Sequence, residues 1–247
     1  MKRAVVITGA AGGVGRGIVA EFRAAGWRTL GVDRPGSAPS GADVDVPFDL
    51  RAVATSEADG DRFIQALRAE LGHDRVECLV NNAAVQMLGT IEAASLGSVR
   101  ETLDVNVIVP LRLTQLLLGD LVTAQGSVIN VSSVHAVATK PGFVAYATSK
   151  AALSGMSRAM AIDLGGRVRV NAIELAATET PMLSAGFEGR AEDFRRLAGC
   201  HPIGRIAAPG EVGRVAVLLA SPELTGFITG CCLRMDGGVT ARLHDPL

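Results

Sequence analysis

The stretch AVVITGAAGGVGRGIVAEFRAA, residues 4–25, predicts a buried strand, a glycine-rich turn and a helix in direct succession. Residues 4–8 form a largely β-branched run, which is typical of a buried parallel strand. Gly9 allows a tight turn, Gly13 lets backbone approach a pyrophosphate, and Gly15 lets the helix pack closely on the strand. The free N–H groups at the helix N-terminus favour phosphate binding. We therefore predict a dinucleotide site in this stretch.

The next predicted strand, residues 29–32, ends at Asp33, which lies 18 residues after Gly15. An acidic side chain at this point can accept hydrogen bonds from the adenosine ribose and repel the additional phosphate of NADP. Arg34 follows directly and could receive that phosphate, and Asp33 could instead simply cap a turn before Pro35. The spacing favours the ribose contact and hence NAD over NADP.

Strands and helices alternate along the chain. The predicted strands are 4–8, 29–32, 44–48, 77–80, 127–131, 167–173 and 231–235. The first predicted helix follows the glycine-rich turn and ends at residue 25, and the others span 61–71, 102–118, 146–164 and 209–220. Pro110 is expected to kink the helix over 102–118 or to reset its start. The alternation indicates one α/β domain with a parallel sheet. The mixed segment at about 174–202 is long enough to be a lid.

The stretch SVHAVATKPGFVAYATSK, residues 133–150, places a serine, a tyrosine and a lysine where they could together move a proton. If a helix begins at Tyr146, that residue and Lys150 lie one turn apart on one face. A neighbouring ammonium favours the phenolate and lowers the pKa of a tyrosine from about 10. Ser133 follows a predicted buried strand, so its hydroxyl should lie at the carboxyl end, where open α/β sheets bind ligands. The three residues therefore form a candidate catalytic site.

Composition excludes several classes of function. The chain has 247 residues and a formal net charge of -1, so nothing indicates a surface for nucleic acid or for an anionic membrane. Its four cysteines show no Cys-x-x-Cys spacing, which argues against a metal site or a disulfide framework. No uninterrupted apolar stretch reaches the ~18 residues of a membrane span. We expect a cytoplasmic protein with no metal.

Six motifs occur along the chain: TGAAGGVG at 8–15, NNAA at 81–84, Asn106, Ser133, YATSK at 146–150 and MDGG at 235–238. In this combination they resemble the short-chain dehydrogenase/reductase family over essentially the whole length. The resemblance implies a single domain, residues 1–247, with a doubly wound Rossmann fold of about seven parallel strands and helices on both faces. It also implies a nicotinamide cofactor, hydride transfer between a secondary alcohol and a ketone, and a homotetramer or dimer.

The resemblance implies a role for each matching residue. Tyr146 would be the general acid/base, Lys150 would lower the tyrosine pKa and bind the nicotinamide ribose, Ser133 would hold the substrate oxygen, and Asn106 would anchor a water behind Lys150. The implied cofactor contacts are Thr8, Gly9, Gly13, Val14 and Gly15 at the phosphates, Asp33 at the ribose, Asp49 and Leu50 at the adenine, Asn82 and Ala83 at the middle, and Thr178 and Thr180 near the carboxamide.

Two positions depart from the family pattern. Ala84 stands where the family usually has glycine, which is a small change. Leu175 and Ala176 stand where Pro-Gly usually follows the sixth strand, beside the nicotinamide and before the lid. This second departure bears on how the carboxamide is held.

Two further residues are candidate substrate contacts. Gln86 and His135 are similar in placement to substrate-carboxylate contacts in the family's 3-hydroxybutyrate dehydrogenases. The lysine that precedes the tyrosine in that group is absent here, and a lone histidine is more often a neutral wall residue. Sugar, polyol, acyl-thioester and steroid alcohols remain alternative substrates.

Three functional classes compete. An NAD-dependent alcohol dehydrogenase or ketone reductase is favoured by the complete catalytic set. A non-catalytic nucleotide-binding regulator on the same fold has its support in the altered turn at Leu175 and Ala176. Isomerase or dehydratase chemistry with retained NAD would give product without net cofactor oxidation.

Overall fold

The computed structural model describes residues 3–243, which form a parallel sheet of seven strands. The strands are β1 (Ala4–Thr8), β2 (Arg28–Asp33), β3 (Val44–Pro47), β4 (Val76–Asn81), β5 (Ser127–Ser133), β6 (Arg169–Leu175) and β7 (Cys232–Met235). The helices are α1 (Gly13–Ala24), α2 (Arg51–Thr55), α3 (Glu57–Leu71), α4 (Leu96–Leu103), α5 (Val109–Leu116), α6 (Leu118–Thr123), α7 (Val144–Leu164), α8 (Pro181–Gly186), α9 (Ala191–Gly199), α10 (Pro209–Ala220) and α11 (Pro222–Thr225). The strand order β3-β2-β1-β4-β5-β6-β7 confirms the predicted doubly wound Rossmann fold.

The hydrophobic core lies on both faces of the sheet because strand side chains alternate between the faces. In β1, Val6 packs in a cluster with Phe63 of α3 and Leu113 of α5. The next residue, Ile7, packs in the opposite cluster with Ile18 of α1. Helices therefore cover both faces, which explains why these strands are continuous apolar runs in the sequence.

The segment predicted as one helix over 102–118 differs most from expectation. The structure divides it into α4, a π-helical turn over Asp104–Ile108, and α5. Pro110 has no N–H to donate to the carbonyl of Asn106, four residues earlier. The N–H of Val109 donates five residues back, to the carbonyl of Asp104. Sequence periodicity does not reveal this wider turn, which often occurs at functional sites.

The sixth strand ends two residues later than the predicted boundary at residue 173. Leu175 pairs with Met235 of β7, and the N–H of Ala176 donates to the carbonyl of Met235 at 3.1 Å. No proline interrupts these bonds, so the strand continues. The segment predicted to be a lid from residue 174 therefore begins at Ala176.

Further differences lie at the ends of predicted elements. Helix α3 begins at Glu57 because the Ser56 side chain accepts a hydrogen bond from the N–H of Asp59 at 3.2 Å. Strand β5 extends to Ser133, and α7 begins at Val144. Ser133 therefore lies on a strand, and Tyr146 lies within the first turn of α7.

Helices α1 and α10 approach closely because both carry glycine at their contact. A Cβ on Gly17 would lie 2.5 Å from the carbonyl carbon of Pro209, and a Cβ on Gly213 would lie 2.5 Å from the carbonyl oxygen of Gly17. Real side chains do not tolerate such distances. The two glycines thus set the separation of the helices that cover one sheet face.

We predict that Gly213→Ala lowers the free energy of unfolding by about 1–3 kcal/mol, because the added methyl group forces α1 and α10 apart. Chemical denaturation measures this change. Gly119→Ala on exposed α6 is the matched control, since nothing lies within 4 Å of its added Cβ. The control should be neutral or slightly stabilising. Equal stability of Gly213→Ala and the wild type would contradict the close-packing argument.

Candidate active site

A cleft of about 370 Å³ opens at the carboxyl ends of the central strands. Parallel α/β sheets bind ligands at this edge. Ser133, Tyr146 and Lys150 line the cleft together. The other lining residues are Val14 of α1, Asn82, Ala84 and Gln86 after β4, Val131 and Ser132 of β5, and Leu175, Ala176, Thr178, Thr180, Leu183, Gly186 and Phe187 in and after β6.

The candidate catalytic residues occupy two adjacent elements. Ser133 is the last residue of β5, and its hydroxyl donates to the carbonyl of Leu175 at 3.2 Å. Tyr146 and Lys150 lie in the first two turns of α7, with the Lys150 ammonium 5.6 Å from the centre of the tyrosine ring. The ammonium donates to the carbonyl of Val131 at 2.9 Å. The structure thus brings together the three residues that the sequence singled out.

Burial dominates the electrostatics of this group. It lowers the pKa of Lys150 to about 8, because the charged ammonium is removed from water. Burial also raises the pKa of Tyr146, and a hydrogen bond with Ser133 acts in the opposite direction. The net shift of the Tyr146 pKa is therefore upward, which is opposite to the decrease expected from Lys150 alone. The reason is that loss of hydration outweighs the single favourable bond.

Asn106 lies buried in the π-helical turn and connects two parts of the site. Its side-chain oxygen accepts from the N–H of Val85 at 2.9 Å, and its amide nitrogen donates to the Val85 carbonyl at 2.9 Å. The same nitrogen donates to the hydroxyl of Ser149 at 2.9 Å, and that hydroxyl donates to the carbonyl of Tyr146 at 2.7 Å. Asn106 therefore fixes both the loop after β4 and the first turn of α7.

The glycine turn has the features of a phosphate cradle. Gly9 adopts a φ of +62°, which other residues rarely adopt. A Cβ on Gly15 would lie 2.1 Å from the carbonyl oxygen of Gly9, so only glycine permits this contact. No side chain caps the N-terminus of α1 at Gly12. Its first N–H groups are thus free of a side-chain acceptor, and the cradle fits the pyrophosphate of a dinucleotide.

Asp33 closes the other end of this cradle. Its carboxylate accepts from the N–H of Ala11 at 2.9 Å, from the N–H of Arg34 at 2.8 Å and from the hydroxyl of Ser37 at 3.1 Å. These bonds hold a negative charge at the carboxyl end of β2, beside the glycine turn. The arrangement fits a ribose with free hydroxyls.

Thr8 and Asn82 join the ends of β1 and β4. The Thr8 hydroxyl accepts from the N–H groups of Asn82 at 2.9 Å and Ala83 at 3.0 Å. The Asn82 amide donates to the carbonyls of Thr8 at 2.9 Å and Gly9 at 3.0 Å. The side chains of these residues thus shape the crevice by fixing its two walls.

The remaining predicted cofactor contacts lie around the same edge. Asp49 is exposed beside buried Leu50 at the start of α2, on the β3 side. Thr178 and Thr180 line the cleft on the β6 side, and the Thr180 hydroxyl caps α8 by accepting from the N–H of Leu183 at 3.2 Å. The two groups of residues thus lie at the two ends of the crevice.

Other kinds of site find no support in the part of the chain that the structure describes. Within residues 3–243, no three His, Cys, Asp or Glu side chains come together as a metal site. None of the helices found in those residues is long and apolar enough to cross a membrane.

Comparison with known proteins identifies a matching family model and several similar proteins. A family model described as "Enoyl-(Acyl carrier protein) reductase" matches residues 9–240. A 1,2-dihydroxy-1,2-dihydronaphthalene dehydrogenase of Ralstonia sp is 31% identical over 254 residues, covering 97% of each protein. The ligand-free aldohexose dehydrogenase of Thermoplasma acidophilum aligns with a TM-score of 0.89 at 28% identity, over 100% of this chain and 97% of that one.

A second solved structure carries the family name. It is an oxidoreductase of the short chain dehydrogenase/reductase family from Burkholderia thailandensis, with a TM-score of 0.85 at 32% identity, over 98% of this chain and 94% of that one. The chain belongs to the short-chain dehydrogenase/reductase family. The resemblance seen in the sequence motifs is thereby confirmed. Short-chain dehydrogenases and reductases are oxidoreductases that generally use nicotinamide cofactors.

The departure of this short-chain dehydrogenase/reductase at Leu175 and Ala176 has a visible structural effect. Instead of turning at Pro-Gly, β6 stays paired with β7, and the Leu175 side chain is buried beside the cleft. Its carbonyl still accepts from Ser133. Thr178 and Thr180 still reach the cleft. The altered turn therefore leaves the crevice open and adds an apolar wall.

The two candidate substrate residues are placed differently. Gln86 lines the cleft. His135 stacks on Phe143 with ring centres 4.4 Å apart, and its Nδ1 lies 2.8 Å from the hydroxyl of Thr139. Burial and the positive charge of Lys140 lower its pKa, which favours the neutral ring. His135 thus supports the wall behind Tyr146 and does not line the cleft.

Sequence reasoning missed a buried network centred on Glu174. Its carboxylate accepts from the hydroxyl of Ser154 at 3.0 Å and from Nε of Arg234 at 3.1 Å. Ser154 in turn contacts Ser132 at 2.9 Å, and Ser132 donates to the carbonyl of Lys150 at 3.1 Å. The available signal was an acidic residue within the apolar run of β6. The network ties α7 to three strands.

We predict that Lys150→Met raises the free energy of unfolding at pH 7 by about 1–3 kcal/mol, because a buried charge is removed. The folded pKa of about 8 lies below the ordinary value of 10.5. The full free-energy cost of burying the ammonium is therefore present below pH 8, and this cost disappears as the pH rises from 8 to 10.5. The stability gain should shrink over the same interval.

Denaturation curves across this pH range measure the effect. Lys140→Met, at an exposed lysine, is the matched control and should show no such pH-dependent gain. A destabilised Lys150→Met at pH 7 would show that the bond to the Val131 carbonyl outweighs the cost of burial.

Proposed function

We propose that the protein is an NAD(H)-dependent oxidoreductase that interconverts a secondary alcohol and a ketone. The observation that supports this most directly is the convergence of Ser133, Tyr146 and Lys150 in a cleft next to the glycine cradle. A serine and a tyrosine hydroxyl that line the same cleft can both bind one substrate oxygen, and one of them can exchange its proton. The family provides the cofactor class.

In this proposal Tyr146 is the general base of oxidation and the general acid of reduction. The bound nicotinamide supplies the acceptor or donor of the hydride. Ser133 holds the substrate oxygen, while Tyr146 takes the proton from the alcohol as the carbonyl forms. Lys150 stabilises the phenolate, since an ammonium near the ring favours the charged form once a ligand excludes water from the cleft. The proton and the hydride leave from oxygen and carbon of the same carbinol.

Asn106 serves this chemistry as a positioning residue. Its bond to Ser149 holds the turn of α7 that presents Tyr146 and Lys150. Pro110 leaves the Asn106 carbonyl without its usual helical donor, and we propose that this carbonyl binds the water of a relay behind Lys150.

The cofactor preference that we propose is NAD over NADP. The carboxylate of Asp33 is held at the cradle by three hydrogen bonds, so its charge cannot easily move away from a ribose phosphate. Arg34 is exposed beside it and provides the competing positive charge. Gly9, Gly13, Val14 and Gly15 would hold the phosphates.

We also propose a single domain, residues 1–247, whose lid over the substrate begins at Ala176. Lid residues Leu183 and Phe187 line the cleft, which supports this role.

We further propose that the protein forms a homotetramer or dimer and lies in the cytoplasm. The oligomer is supported by exposed apolar side chains, among them Ile162 on α7, Leu224 on α11 and Phe227.

We predict that Tyr146→Phe abolishes turnover while largely preserving NADH binding, because the change removes only the proton-transferring hydroxyl. Steady-state assays with alcohols and ketones and titration of NADH fluorescence measure the two properties. Thr148→Val, at an exposed position of the same helix, should retain activity. Turnover that survives Tyr146→Phe would remove Tyr146 from its role. NADH binding by the wild type without any turnover would favour the non-catalytic regulator.

We predict that Asp33→Ala raises the affinity for NADPH relative to NADH by about 10- to 100-fold, because a charged hydrogen-bond acceptor is lost from the ribose site. Asp33→Asn, which keeps the side-chain shape, should show a change in the same direction. Asp61→Ala, at an exposed position of α3, is the control. An unchanged ratio of the two dissociation constants would show that the ribose is recognised elsewhere.

A further inference from the structure

Gln86 is an exposed polar residue in the wall of the cleft. Apart from Gln86 and Tyr146, the polar side chains of the cleft lining that the structure describes each form a hydrogen bond within the chain. Asn82 bonds to Thr8 and Gly9, Thr178 to Ala176, Thr180 to Leu183, Ser132 and Ser133 to backbone carbonyls, and Lys150 to Val131. No hydrogen bond is found for the Gln86 amide within residues 3–243. A ligand can therefore replace the water that bonds to this amide without breaking a hydrogen bond within the described part of the chain.

Gln86 is also held in place on both sides. Immediately before it, Val85 bonds through both its N–H and its carbonyl to the buried side chain of Asn106. Three residues after it, the N–H of Gly89 donates to the carbonyl of Gly142 at 2.8 Å. That segment leads directly into α7 and Tyr146. The loop is thus anchored to the π-helical turn and to the segment that precedes α7, which reduces the entropy cost of binding.

Apolar side chains form much of the remaining wall at the substrate end of the cleft. Leu175, Leu183 and Phe187 supply its walls. Lys150 is the charged residue of the described cleft lining, and its ammonium is bonded to the Val131 carbonyl. Lys140 lies over the ring of Phe143 at 4.8 Å and is not part of the lining. An anionic substrate would therefore lack a free counter-charge.

We propose that the substrate is a compact, uncharged vicinal diol, or the corresponding α-hydroxyketone, and that Gln86 binds the hydroxyl that does not react. This inference rests on the proposed function. A primary amide can both donate to and accept from a hydroxyl, which a carboxylate or an ammonium cannot do. A volume of about 370 Å³, shared with a nicotinamide ring, suits a small molecule.

The reaction balances without any further reactant. One carbinol loses its C–H hydrogen as hydride to the oxidised nicotinamide and its O–H proton to Tyr146. The neighbouring carbinol is unchanged and keeps its hydroxyl on Gln86. The diol becomes an α-hydroxyketone, and the reverse reaction consumes the reduced cofactor and a proton.

The test compares matched pairs of alcohols with wild-type protein and NAD. The pairs are 2,3-butanediol with 2-butanol, and vicinal cyclohexanediol with cyclohexanol; 3-hydroxybutyrate represents anionic substrates. We expect kcat/KM to be about tenfold or more higher for each diol than for its partner, since one hydrogen bond is gained. We expect 3-hydroxybutyrate to be a poorer substrate than the diols.

Gln86→Leu, which has similar volume, should remove the preference, so that the ratio of kcat/KM for each diol to that for its partner alcohol falls to about one. Gln65→Leu, at an exposed position of α3, is the matched control and should keep the ratio of the wild type. An unchanged dissociation constant for NADH and an unchanged denaturation curve show that the Gln86 variant is folded.

The outcomes separate the two proposals. Turnover of simple alcohols without a preference for diols, or a preference that persists in Gln86→Leu, overturns the inference and leaves the proposed function intact. A preference for 3-hydroxybutyrate overturns it in favour of carboxylate recognition. No turnover of any alcohol or hydroxyketone, with NADH still bound, overturns the proposed function and this inference together.

Discussion

The hydrogen bond from the buried Lys150 ammonium to the carbonyl of Val131, at 2.9 Å, fixes the point where α7 meets β5. A buried ammonium must find an acceptor, and among the described residues that acceptor is a backbone carbonyl and not a carboxylate. The helix therefore has little freedom to slide along the strand. Ser133 ends that strand and Tyr146 lies in the first turn of that helix, so their separation depends on the same contact. The placement of Ser133 relative to Tyr146 therefore depends on how α7 packs on the sheet.

Two further connections reinforce this position from opposite sides. Asn106 reaches α7 from the π-helical turn through Ser149. Glu174 reaches it from β6 through Ser154. Removal of either bond would leave a buried polar group unsatisfied, which costs far more than the bond contributes when formed. The candidate site is thus supported by polar groups that lie outside the cleft lining, and such support fixes the positions of the hydroxyl groups inside it.

The apolar wall at Leu175 illustrates how a departure from a family pattern can be absorbed. Proline and glycine would end the sixth strand by removing a donor and by permitting a turn. Without them the strand gains pairing to β7 and places a leucine beside the cleft. The segment after β6 then starts at Ala176, but α8 still begins at Pro181 and its cap Thr180 still faces the glycine turn. Sequence analysis located this change correctly, whereas its consequence depended on which neighbouring carbonyls were available.

The sequence by itself determined the alternation of strands and helices, the glycine cradle, Asp33 and the Ser133, Tyr146 and Lys150 set, because each depends on local spacing or on the order of elements. It did not reveal the π-helical turn, the burial of Glu174 or the upward pKa shift of Tyr146. Those features arise from contacts between residues far apart in the chain, such as Asn106 with Val85 and Glu174 with Arg234. Only the tertiary structure decided which groups lost their water and which partners replaced it, since hydration and burial are properties of the packed molecule and not of the chain's local pattern.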